Sequence, residues 1–256
     1  MTIPPFLALT FAISLAGFAC IYLIPAARSP ESLTGLPFWL LMVWGPSLAA
    51  ILLSLRDGQL ADLLGRMIRV SSVPLSVWGL VLAPMVLILL LRPFAPGGAL
   101  PLGVGAVALM VAFNLILGPL GEELGWRGVL QTRLGAQMGW LEAALLTGVI
   151  WAAWHLPLWT IESPHAAISL PLFAGHVMLY SVIIGAAHTL SGGSLLPAIL
   201  LHLSFNLAAN LAVFAGFRNP DAWFWASLAP YGLLALASIV LVYARTGESG
   251  LRWLSL

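Results

Sequence analysis

Between residues 6 and 27 the chain carries no charged side chain, and apolar runs of similar length recur to its other end. A membrane-spanning helix needs about 20 mostly apolar residues. In lipid the backbone must satisfy its own hydrogen bonds, which a helix does within one segment. Runs long enough lie at 6–27, 36–55, 73–91, 101–134, 140–159, 168–190, 195–215 and 223–244. Charged residues make up only 7% of the chain, against about 25% in a soluble domain. The expected fold is all-α, a polytopic membrane bundle of about eight transmembrane helices. It is read as one integral membrane domain over residues 1–256, because no internal repeat or linker interrupts it.

Polar punctuation separates the runs. Arg56-Asp57-Gly58, Arg92-Pro93 and Ser191-Gly192-Gly193-Ser194 are turn signals. Residues 59–70 differ in kind: Leu60, Leu63, Leu64 and Met67 recur at helical spacing opposite Asp62, Arg66 and Arg69. That pattern predicts an amphipathic helix at the membrane interface, or a packed helix in a loop. The first run has no basic segment before it and is long, so it reads as a retained span. Cys20 is the only cysteine, which excludes an internal disulfide. A net charge of +1 gives no reason to expect nucleic acid as a partner. Arginine placement sets orientation. Arg56, Arg66, Arg69, Arg127, Arg133, Arg245 and Arg252 fall on the side shared by both termini, and Arg28, Arg92 and Arg218 on the other. Both termini are thus expected in the cytoplasm.

Ionisable groups inside such a bundle are expensive and mark functional positions. Gly121-Glu122-Glu123-Leu124-Gly125-Trp126-Arg127 sits at the end of the fourth run. On a helix Glu123 and Arg127 are four residues apart and can bridge each other. Glu122 points about 100° away and is left for general-base work. A solvated helix end would also accommodate these charges. His155 lies in a run with no other ionisable group, and Trp151 shares its face. His202 and Asn206 project from one face of the seventh run, where two donors in a dry setting could stabilise an oxyanion. They could equally serve as hydrogen-bonding glue between helices. Asn114 and Asn210 fit that structural role better. His176 and His188 read as structural histidines, and His165 as a loop residue. The residues alone leave two functions open: hydrolysis by a carboxylate-activated water, or a proton or ion pathway.

Glu122-Glu123-Leu124-Gly125-Trp126-Arg127 resembles the E-E-x-x-x-R motif of the CAAX-protease and bacteriocin-processing family of intramembrane endopeptidases. Trp151 to His155 resembles its F-x-x-x-H motif, with Trp151 in place of phenylalanine. Residues 191–206, ending in His202-Leu203-Ser204-Phe205-Asn206, resemble its third motif, H-x-x-x-N. The three occur in the family's order within a core of about 100–210. The resemblance implies a membrane endopeptidase acting on a protein or peptide substrate. It assigns Glu122 as the base that activates water and His155 as the group that positions that water. His202 and Asn206 would stabilise the oxyanion, with Glu123, Arg127 and Trp151 in support. It implies no metal cofactor, although Glu122, His155 and His202 form a three-ligand zinc set on paper. A bacterial plasma membrane is the expected location, with membrane lipids as surroundings. The rival reading is a non-enzymatic membrane protein, such as a proton-coupled transporter or a bacteriocin-immunity factor. Depth poses a problem for the site. His155 would lie about 22 Å along the fifth helix but His202 only about 12 Å along the seventh. A tilt or a break near Pro157 has to close that gap.

Overall fold

The computed structural model describes residues 2–161 and 163–251. These form α1 (Ile3–Leu23), α2 (Leu36–Val43), α3 (Gly45–Arg56), α4 (Leu60–Gly65), α5 (Leu75–Leu91) and α6 (Val104–Ile116). There follow α7 (Pro119–Gly125), α8 (Thr132–Gly135), α9 (Trp140–His155), α10 (Leu170–Leu190), α11 (Leu196–Phe214) and α12 (Pro220–Thr246). No strand occurs among the described residues. Seven helical stretches are long and apolar enough to cross a membrane, and the bent pair α2–α3 makes an eighth. The molecule is therefore an all-α integral membrane protein. Arg252 and the rest of the C-terminal tail lie outside the described residues.

The bundle has a polar-lined centre and an apolar outside. α10 packs between α9 and α12, α11 packs along α5, and α3 packs on α7. Leu82, Leu89, Leu109, Leu233 and Val240 on α5, α6 and α12 are exposed, as lipid-facing residues would be. Buried ionisable residues instead gather on α7, the turn that follows it, α9, α10 and α11, among them Glu122, Glu123, Arg127, His155, His176 and His202.

Two spans depart from continuous helices. The second bends by 61° between α2 and α3. Pro46 follows the bend and nests against α7. A Cβ on Gly125 would come within 2.5 Å of Pro46, and one on Gly121 within 2.9 Å of Trp44 and of the Val43 carbonyl. Two glycines one turn apart thus admit the bent span at backbone distance, as small residues do in membrane interfaces. The fourth span, expected as one helix, is broken at Leu117-Gly118 before α7 begins. Pro119 lacks the N–H that would continue the ladder, and its fixed φ suits the first turn of a new helix. The second span supplies partners at the break: Trp44 Nε1 donates to the Ile116 carbonyl and Ser47 Oγ to that of Leu120, each at 2.8 Å.

The amphipathic segment is also shorter than its pattern. Only α4 is helical, with Leu63 buried and Leu64 exposed. Arg66, expected on the polar face, is buried. The helix ends at Gly65, so the arginine turns inward and meets carbonyls there. Arg127 is fully buried as well. It belongs to the interior and adds no weight to the orientation count.

Candidate active site

The site grows from α7 and the wide π turn that continues it, Trp126–Gln131. Such turns are rare and often occur at functional positions. This one is held open by side chains. Thr132 Oγ1 donates to the Arg127 carbonyl at 2.7 Å and Arg66 Nη1 to the Gly128 carbonyl at 3.1 Å.

The two adjacent glutamates face different partners. Glu123 Oε1 accepts from Arg127 Nη1 at 3.0 Å, the pair foreseen from spacing. The same oxygen also meets His202 Nδ1 at 2.7 Å, which spacing did not foretell. Arg127 is further fixed by Ser181 Oγ at 3.3 Å, and its guanidinium carbon lies 4.8 Å from the Trp151 ring centre. That is cation–π range in a desolvated setting. Glu122 forms no ion pair among the described residues. Its Oε2 accepts from two indoles, Trp151 Nε1 at 2.6 Å and Trp126 Nε1 at 3.2 Å. Its Oε1 has no hydrogen-bond partner among the described residues.

Trp151 organises the rest. Its ring centre is 5.9 Å from that of His155 and 5.1 Å from that of His202. The two histidines therefore flank one indole. α9 does give way near Pro157, to a 3-10 turn over Leu156–Thr160. The change comes after His155, so it does not move the histidine towards His202. His155 Nδ1 faces the Trp151 carbonyl at 2.8 Å. A carbonyl only accepts, so Nδ1 carries the proton and Nε2 of the neutral ring is an acceptor. The carboxylate of Glu123 likewise fixes the proton of His202 on Nδ1. Asn206, one turn along α11, lies against the break before α7: a Cβ on Gly118 would come within 2.8 Å of its Nδ2.

Several polar residues do have structural partners. Asn210 Nδ2 donates to Asn114 Oδ1 at 3.0 Å and ties α11 to α6. His176 lies between the Leu172 carbonyl and Ser227 Oγ. His188 Nε2 faces Arg66 Nη2 at 3.1 Å.

Three neighbours of the site were not singled out from sequence. Trp126 is the second indole on Glu122, and Ser181 steadies Arg127. An indole N–H in an apolar run needs an acceptor when buried, and that need was the available signal for both tryptophans. His165 is the third. It sits on the 3-10 turn Pro164–Ala167, its ring 5.8 Å from that of His155. Burial pushes its pKa down to about 4. Nothing in its spacing announced that position.

Among the described residues no three of His, Cys, Asp and Glu gather into a group able to hold an ion.

Comparison with known proteins agrees with the motifs. Residues 104–208 match the family described as Type II CAAX prenyl endopeptidase Rce1-like. A stretch of 48 residues is 42% identical to CAAX prenyl protease 2 of Methanococcus maripaludis. It covers 19% of this chain and 18% of that relative.

Proposed function

We propose that this chain, a member of the CAAX-protease family, hydrolyses a peptide bond of a protein or peptide substrate within the membrane, using a water activated by Glu122. The observation that carries the reading is the unequal setting of two adjacent carboxylates. Glu123 is bound to Arg127 and His202 and has a structural task. Glu122 is oriented through one oxygen by two neutral donors, which leaves the other oxygen for a proton. A base must be oriented without being consumed by an ion pair.

In this reading Glu122 Oε1 takes a proton from water while His155 Nε2 accepts the other O–H and aims the oxygen. Hydroxide adds to the scissile carbonyl carbon. The oxyanion that forms is met by Asn206 Nδ2 and by His202 Nε2. Because Glu123 holds Nδ1–H, Nε2 donates when the ring carries both protons, and the Glu123 carboxylate supplies the counter-charge. Glu122 then passes its proton to the leaving nitrogen as the C–N bond breaks. No step uses a metal. Location in a bacterial plasma membrane with both termini cytoplasmic completes the proposal.

The test uses purified protein in detergent, as wild type and as Glu122→Gln, incubated with a membrane-peptide mixture. New termini are sought by mass spectrometry with and without a strong chelator. Termini produced by wild type alone, and indifferent to the chelator, are expected. Equal products from both proteins, or loss on chelation restored by zinc, would overturn the mechanism. Absence of cleavage together with pH-driven transport would replace it with the transporter.

A further inference from the structure

Away from the candidate active site, at the rim of the bundle, Arg66 is buried with no counter-ion among the described residues. Its Nε donates to the Gly193 carbonyl at 2.9 Å and its Nη1 to that of Gly128 at 3.1 Å. Nη2 donates to Thr132 Oγ1 and lies beside His188 Nε2, both at 3.1 Å. A guanidinium only donates, so His188 accepts there and is neutral. All four partners are uncharged. Among the described residues no carboxylate forms an ion pair with Arg66. A buried charge without a counter-charge is costly, and proteins normally pair it.

A pocket of about 290 Å³ opens onto this guanidinium. Gln59, Asp62, Thr132 and Arg133 are among its walls. Arg133 brings a second guanidinium, bonded through Nη2 to Gln59 Oε1 at 3.1 Å and, among the described residues, to no carboxylate. The one carboxylate of the wall, Asp62, is 69% exposed and lies 3.8 Å from Arg69. Burial pushes the Arg66 pKa down, with Asp62 opposing that shift and Arg69 and Arg133 adding to it. The local balance is therefore an unmet positive charge inside a concave site.

Its position indicates what can meet that charge. The pocket lies where α3 ends and α8 begins, and the segment that carries Arg66 also exposes Leu64, Ile68 and Val70. Apolar side chains exposed next to arginines at the end of spans mark the headgroup layer. The anion abundant at that depth is phosphate, and paired guanidiniums suit its oxygens. Basic pockets between membrane helices bind headgroups of this kind.

We propose that the pocket holds a phosphate group, supplied by an anionic phospholipid headgroup, between Arg66 on its floor and Arg133 on its wall. Occupancy would also brace the π turn, since Arg66 and Thr132 both bond its carbonyls.

The test is native mass spectrometry of the full chain in detergent, titrated with phosphatidylglycerol, with phosphatidylcholine and with inorganic phosphate. Wild type should retain one phosphatidylglycerol about tenfold more tightly than phosphatidylcholine. Arg66→Gln and Arg133→Gln should each abolish that preference, and Arg245→Gln, at the end of another span, should leave it intact. Arg133 is half-buried and among the described residues its side chain bonds only Gln59, so its variant carries the test even where Arg66→Gln does not fold. Inorganic phosphate that displaces the lipid would assign the pocket to phosphate as such, whereas lipid retained against it would assign the pocket to the headgroup. Equal retention of the two lipids with no phosphate bound, or a preference unchanged in Arg133→Gln, would overturn the proposal. Cleavage of any peptide is not needed for either result, so failure here is separable from failure of the proposed function.

Discussion

Arg127 at the centre of the bundle and Arg66 at its rim are both buried, but among the described residues only Arg127 is paired with a carboxylate. The central arginine is closed off by Glu123, Ser181 and the face of Trp151. The rim arginine is held by two backbone carbonyls, a hydroxyl and a neutral histidine. The difference separates a charge whose compensation is internal from one that looks outward. In the centre, pairing Glu123 with Arg127 and His202 lets its neighbour Glu122 remain unpaired. At the rim the same residue type is left open to an anion.

This contrast breaks most sharply at Glu123. Glu123→Gln leaves the Arg127 charge buried and unpaired, which should cost about 3–5 kcal/mol. Thermal unfolding in detergent would show a much lower midpoint. Arg66→Gln removes hydrogen bonds but orphans no charge, so about 1–3 kcal/mol is expected. A loss at Arg66 equal to that at Glu123 would mean that the rim arginine has an internal counter-ion after all.

Trp151→Phe sharpens the contrast within the centre. It keeps a ring between the histidines and under Arg127, and it removes the N–H that Glu122 accepts at 2.6 Å. A hydrogen bond to a charged group is worth about 1.5–3 kcal/mol. Cleavage should fall by about 10- to 100-fold, with the unfolding midpoint lowered less than in Glu123→Gln. An unchanged rate would show that the indole packs without orienting the base.

The smallest effect concerns a half-buried basic group that is kept neutral. His165 is pushed down to about 4 by burial, from about 6.5 in an unfolded chain. Its folded pKa is depressed, so the unfolded chain binds the proton first as pH falls. Its contribution to stability is present above about pH 6.5 and is lost progressively towards pH 4. His165→Phe should flatten the acid limb of the midpoint-against-pH curve over that window. An identical limb in both proteins would remove His165 from the account.

The spans and the Glu123–Arg127 bridge were legible because each follows from local periodicity, whereas Asn114 and Asn210 were read as structural residues without their pairing. A helix repeats every 3.6 residues, so four-apart neighbours meet whatever surrounds them. Two kinds of feature were not legible. Breaks such as Leu117-Gly118 depend on another span supplying Trp44 and Ser47 as partners. Long-range contacts such as Glu123 with His202, or Trp151 with Glu122, depend on how α7, α9 and α11 are rotated. The leucine pattern of residues 59–70 placed Arg66 in solvent, since periodicity assumes the helix continues. It stops at Gly65, and the carbonyls of two distant turns draw the arginine inward.

The central claim is that two adjacent carboxylates do different work. It is tested most directly by measuring the unfolding midpoint and the cleavage rate together for Glu122→Gln and Glu123→Gln. The account predicts that Glu122→Gln unfolds near the wild-type temperature while cleavage drops by about 10²-fold or more, and that Glu123→Gln loses its fold at a markedly lower temperature. Full cleavage by a stable Glu122→Gln would contradict it, as would a stable Glu123→Gln that fails in cleavage alone.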